Sequence, residues 1–174
     1  TELWDFSLVD PDNRRPVDFA RRRRLLDELR AELAAGADRR TLAEQLLKSW
    51  EDGRVKLYVI HQGLAARRAH RALFERGEYR PLEAAGPLAE HVCAYARVAG
   101  GAAAVTVVPR LLARRGGDEA PLGTAYWADT ALPAPGPLPL VNAFTGERVE
   151  PEDGRLPVGR VLARFPVALL APEA

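Results

Sequence analysis

A chain of 174 residues is long enough to bury a sizeable core in one domain, or in one domain with a small appendage. Its 47% hydrophobic and 28% charged residues are ordinary globular usage, which excludes a disordered tail or a fibrous repeat. Twenty-five Lys and Arg against 24 Asp and Glu leave a formal charge of +1, so no global field holds nucleic acid or an anionic membrane.

The first 17 residues, TELWDFSLVDPDNRRPV, contain an Asp-Pro and an Arg-Pro step and no sustained helical period, and they read as a structured loop. From Asp18, Leu25, Leu26, Leu29 and Leu33 recur at helical spacing, and Gly36 marks the stop. A second helix is predicted from Asp38, with Thr41 and Glu44 spaced as a capping box, Leu42, Leu46, Leu47 and Trp50 on its apolar side, and an end at Asp52-Gly53. Arg54 to Arg76 holds both a β-rich run, VKLYVI, and helical spacing of Leu57, Ile60 and Leu64; the reading adopted is helix.

Beyond Gly77 the texture turns to β. Short apolar segments (79–84, 91–98, 102–109, 124–127, 138–143 and 158–170) are separated by Gly, Pro and Asp clusters, the spacing of an antiparallel sandwich. The run APAPGPLP predicts a linker or edge segment. Cys93, the single cysteine, cannot form an internal disulfide and is expected as a small buried hydrophobe in a reducing compartment. Apolar stretches such as 167–171 are far too short to span a bilayer and the start lacks a signal-peptide pattern, so a soluble cytoplasmic protein is the expectation. With no Met anywhere, Thr1 is not a translation start, and the chain is expected to be part of something longer.

Little in the sequence announces chemistry. His61, His70 and His91 are far apart, and nothing closes a zinc site; no metal and no cofactor are expected. Neither a dinucleotide fingerprint nor a Walker loop is present, and Ser7 and Ser49 lie outside any nucleophile elbow. The Arg21 to Arg24 run reads as the solvated face of a helix, Trp50 and Trp127 as core, and Glu152-Asp153 as a solvated turn. The opening loop differs, because Trp4, Asp5, Asp10, Asp12, Asn13, Arg14 and Arg15 crowd an aromatic platform beside carboxylates, an amide and guanidinium groups. Such a set suits a sugar, whose C–H face covers an indole while its hydroxyls pair with the polar groups. The alternative is local: Asp10 and Asn13 in Asx turns, with Arg14 paired to Asp12. On the residues alone the two readings stand level.

The succession TELWDFSLVDPDNRRPVDF, DGRVKLYVIHQGLAARR, LFERGEYRPL, PLGTAYWADTALPAP, NAFTGE and LPVGRVLARFPVALL resembles the C-terminal part of the maltooligosyl trehalose synthase family, over essentially the whole chain. The resemblance implies an α-amylase superfamily enzyme and an α+β fold for this portion. Residues 1–17 would form a loop at the catalytic face of a barrel lying upstream, 18–77 a helical segment ending that (β/α)8 barrel, and 78–174 a C-terminal antiparallel β-sandwich domain. It further implies an intramolecular transglucosylase that turns the reducing-end α-1,4 bond of a maltooligosaccharide into an α,α-1,1 bond. The nucleophile and the acid/base would lie upstream, leaving no catalytic residue here and an inactive fragment. Trp4, Asp10, Asp12, Asn13 and Arg14 would contact substrate, with Arg15 bracing the loop. The implied partners are a maltooligosaccharide and the rest of the barrel, with no nucleic acid and no membrane. Two competing expectations are a stand-alone carbohydrate-binding module gripping glucan through Tyr126 and Trp127, and part of an ordinary α-glucan hydrolase.

Overall fold

The structure, a computed structural model, describes Leu3 and residues 16–117, 119–136 and 139–173. Four helices come first: α1 (Phe19–Ala34), α2 (Arg39–Lys48), α3 (Arg54–Ala69) and α4 (Arg71–Arg76). Asp18 caps α1 by accepting from the Arg21 amide at 2.8 Å. At its other end Gly36, at φ 82°, turns the chain so that its own N–H reaches Leu33 O and that of Ala37 reaches Glu32 O, the paired bonds of a Schellman stop.

Two local expectations for the second helix are corrected. Its cap is Asp38, whose carboxylate accepts from the Thr41 hydroxyl at 2.7 Å and from the Thr41 amide at 3.1 Å. Those bonds hold the Asp38 carboxyl below its ordinary value. Thr41 is thus a donor inside the first turn, and Glu44 accepts from Arg164 at 3.2 Å instead of closing a capping box. Because α2 stops at Lys48, Trp50 falls out of its period onto a single 3-10 turn (Trp50–Asp52) and is 46% exposed, where core packing was expected. The β-rich run after Gly53 is helical, with Val55, Leu57 and Tyr58 buried on α3.

After the helices come β1 (Glu78–Pro81), β2 (Val92–Ala99), β3 (Ala102–Pro109), α5 (Gly123–Trp127), β4 (Ala131–Pro133), β5 (Leu140–Asn142), β6 (Arg148–Val149), β7 (Arg155–Pro157), α6 (Val158–Val161) and β8 (Ala168–Ala171). Six strands make one antiparallel sheet in the order β1-β2-β3-β8-β5-β6, while β4 and β7 form a separate ribbon. Strand alternation sorts the faces. Val92, Ala94 and Ala96, with Val105, Val107 and Leu170, pack under Leu132 and Leu156 of the ribbon and against Trp127, Val158 and Val161. On the other face Leu169 joins the helical core of Leu29, Leu46, Tyr58 and Phe165, while Ala104 and Ala171 meet Leu73 of α4. The class is therefore α+β, with a ribbon and two short helices opposing the sheet where a sandwich was expected.

The remaining differences share one cause. The segment at 124–127 is helix α5, and 158–170 is helix α6 followed by a turn and only then β8, because short apolar runs carry too few residues to display a period. α5 and α6 meet at Gly159, where a Cβ would lie 2.7 Å from Thr124 Cα, so glycine is required there. Cys93 alternates out of the core and is exposed, since Val92 and Ala94 on either side of it take the inward positions.

Candidate functional site

The expected sugar contacts Trp4, Asp10, Asp12, Asn13 and Arg14 lie outside the described residues, as does Arg15. What is described are the two ends of that stretch. Leu3 is buried, at 6% exposure, in the core that Leu29, Leu42, Leu57, Phe144 and Phe165 share, and Pro16 to Asp18 lead directly into the capped start of α1. An open groove of about 530 Å³ runs beside that start, between α1 and α3, lined by Phe19, Arg22, Arg23, Leu26, Asp27, Arg30 and Leu57. The one carboxylate among these described lining residues, Asp27, lies 4.0 Å from Arg30. Among the described residues, then, the groove holds no spaced pair of carboxylates of the kind retaining glycoside chemistry uses.

A second groove, of about 520 Å³, lies between the end of α3 and the β5–β6 hairpin, lined by alanines of both and by Arg39, Gln62, His70, Arg148 and Glu173. One of its walls is tied down from below. The Tyr58 hydroxyl donates to Phe144 O at 2.5 Å, and Asn142 Oδ1 accepts from the Phe144 amide at 3.0 Å. Burial pushes the Tyr58 phenol above its ordinary 10.0, so it remains a neutral donor. Arg164 links the same layers from outside, to Glu44 at 3.2 Å and to Glu147 at 3.9 Å.

The other sequence candidates are dispersed. Among the described residues no group of three or more His, Cys, Asp or Glu side chains could hold a metal ion, and no helix is long and apolar enough to cross a membrane. Arg21, Arg23 and Arg24 are exposed, as the solvated-face reading expects, and Glu152-Asp153 sits at a turn with Glu152 paired to Arg160. Trp127 is fully buried and donates its Nε1–H to Pro121 O at 2.8 Å. Tyr126, 8% exposed, stacks edgewise on Trp127 beneath the Arg115 guanidinium, 4.0 Å from its ring. A glucan grip through Tyr126 and Trp127 is thereby contradicted: both rings are spent on the core. Exposed aromatic contact occurs instead between Tyr79 of β1 and Tyr95 of β2. They meet only through the register of β1 on β2, which the residue pattern does not reveal.

Comparison with known proteins adds what the geometry alone does not. No protein-family model matches the chain. Two curated relatives from two strains of Mycobacterium tuberculosis, both provisionally named maltooligosyl trehalose synthase, are 37% identical over 148 residues, covering 83% of this chain and 16% of each relative. The solved structure of a mutant maltooligosyltrehalose synthase from Arthrobacter ramosus superposes with a TM-score of 0.64 at 36% identity, covering 98% of this chain and 19% of that one. The α+β arrangement is thus one seen within a larger enzyme. The chain belongs to the maltooligosyl trehalose synthase family. It spans less than a fifth of the length of the relatives it matches.

Proposed function

We propose that the chain is the C-terminal portion of an intramolecular transglucosylase that converts the reducing-end α-1,4 bond of maltooligosaccharides to an α,α-1,1 bond, in the cytoplasm and on the route to trehalose. The observation that carries this is the match to the Arthrobacter enzyme, 36% identical with a TM-score of 0.64 over 98% of the chain. In this reading 1–17 is a loop at the catalytic face, 18–77 closes and buttresses an upstream barrel, and 78–174 is the C-terminal β domain.

Upstream, a carboxylate attacks the anomeric carbon and a carboxylic acid protonates the leaving sugar oxygen, giving a covalent glycosyl-enzyme. The freed glucose turns within a closed pocket and attacks through its anomeric hydroxyl before water does. The opening loop serves that pocket. Trp4 stacks on the sugar, while Asp10, Asp12, Asn13 and Arg14 hold its hydroxyls. Leu3, seated in the helical core, fixes one end of the loop.

Asp12→Ala and Arg14→Ala, made in the complete enzyme, are expected to raise free glucose relative to trehalosyl product, each at a cost of about 1 to 3 kcal/mol for a buried bond. Unchanged leakage in both removes those residues from the pocket. Net release of reducing ends by the unaltered enzyme makes it an ordinary glucan hydrolase instead.

A further inference from the structure

On β2 the inward positions belong to Val92, Ala94 and Ala96, so Cys93, Tyr95 and Arg97 rise from the opposite face. The register sets Tyr79 opposite Arg97, and sets Tyr95 between Pro81 on β1 and Thr106 on β3. Tyr79 and Tyr95 are therefore diagonal neighbours on one face. Their ring centroids are 5.1 Å apart with planes 30° from parallel, and Tyr79 keeps 56% of its surface exposed. Every other ring pair among the described residues lies inside the core.

The helical layer covers this face as far as Arg97: α4 packs through Leu73 and Phe74 against Ala99, Ala102, Ala104 and Ala171, and the Phe74 carbonyl accepts from Arg97 Nη2 at 3.0 Å, while Tyr79 stays exposed. Beyond that bond lies a shelf of two phenol rings, with Pro81 and Thr106 flanking Tyr95 on the neighbouring strands. Neither phenol hydroxyl has a hydrogen-bond partner among the described residues. Glu78, the nearest carboxylate along β1, is already paired with Arg80 at 3.1 Å.

The geometry points to this shelf as a binding platform for an α-glucan, separate from the opening loop. A ligand suited to it is neutral, presents a flat C–H face to a tyrosine ring, and carries hydroxyls around its edge for the phenols and Thr106. A polyanion would need free cations, whereas Arg97 is bonded to the Phe74 carbonyl and Arg80 to Glu78, and a hydrophobic partner would leave the phenol hydroxyls unpaired. The choice of α-glucan among polysaccharides rests on the maltooligosaccharide reading above. Holding the remote part of a long chain here would raise its effective concentration at a site elsewhere on the same protein.

Affinity electrophoresis of the 174-residue chain through gels with and without amylose tests the platform. The unaltered chain is expected to be retarded, Tyr79→Ala to bind roughly tenfold more weakly, the weight of one stacked ring, and Tyr79→Phe to keep most of the retardation. Far-UV circular dichroism of Tyr79→Ala matching the unaltered chain confirms that the fold survives loss of this exposed side chain. Absence of retardation in the unaltered chain, or equal retardation of Tyr79→Ala, overturns the inference. Trehalosyl formation by the longer enzyme is a separate readout, so a failed platform and a failed family reading give different results.

Discussion

The helical and the sheet-bearing regions solve burial differently. Between residues 16 and 77 there are fourteen Lys and Arg against nine Asp and Glu, whereas from 78 to 174 there are nine against eleven. The basic half also carries most of the exposed large apolar side chains: Val17, Phe19, Trp50, Ile60 and Leu64. Its partner half hides Trp127, Leu132, Leu140, Leu156 and Leu162 completely. Specific links join the two, among them Tyr58 to Phe144, Arg97 to Phe74 and Arg164 to Glu44. The lesson is that the sheet layer holds its own core, while the helices owe part of their burial to what they rest on.

This contrast can be broken by substitution, beginning with the largest expected effect. Trp127→Ala removes the biggest fully buried side chain and its bond to Pro121, and should cost about 3 to 5 kcal/mol by denaturant unfolding. A cost near zero would mean the ribbon side is not a true core. Gly159→Ala forces a methyl against Thr124 Cα and should cost about 1 to 3 kcal/mol, read as a lowered Tm.

Tyr58→Phe leaves the buried Phe144 carbonyl without its donor, at about 1 to 3 kcal/mol, and tests the joint between the layers. It also carries a pH signature. Because burial raises the Tyr58 pKa in the folded state, the unfolded chain releases that proton first on the alkaline side. Stability tied to Tyr58 is therefore complete below 10.0 and lost as pH rises through the folded value. Tyr58→Phe should flatten that alkaline limb, and an unchanged limb assigns it to another group. Smallest of all, Leu64→Glu on the 52% exposed position of α3 should change stability by less than about 0.5 kcal/mol. A larger loss would show that Leu64 is covered in solution.

How much of this was legible in the sequence depended on the length of each pattern. α1 with its Gly36 stop was read correctly because its leucines recur at helical spacing, and β3 at Ala102–Pro109 because an eight-residue apolar run is bounded by glycine and proline. α5 and α6, at five and four residues, were too short to reveal theirs. Cys93 and Trp50 failed for a related reason: both sit in apolar surroundings, and only the strand alternation at one and the helix end at the other turn them outward. The family was legible through its long ordered motifs. The Tyr79–Tyr95 shelf was not, because it exists only once the register of β1 on β2 is fixed.

One measurement bears most directly on the account as a whole: maltohexaose incubated in parallel with the 174-residue chain and with a polypeptide extended upstream, following reducing ends and free glucose together. The account predicts that only the longer polypeptide removes reducing ends, with little glucose released, while the shorter chain changes neither. Loss of reducing ends with the 174-residue chain alone, or their net gain with the longer one, would contradict it.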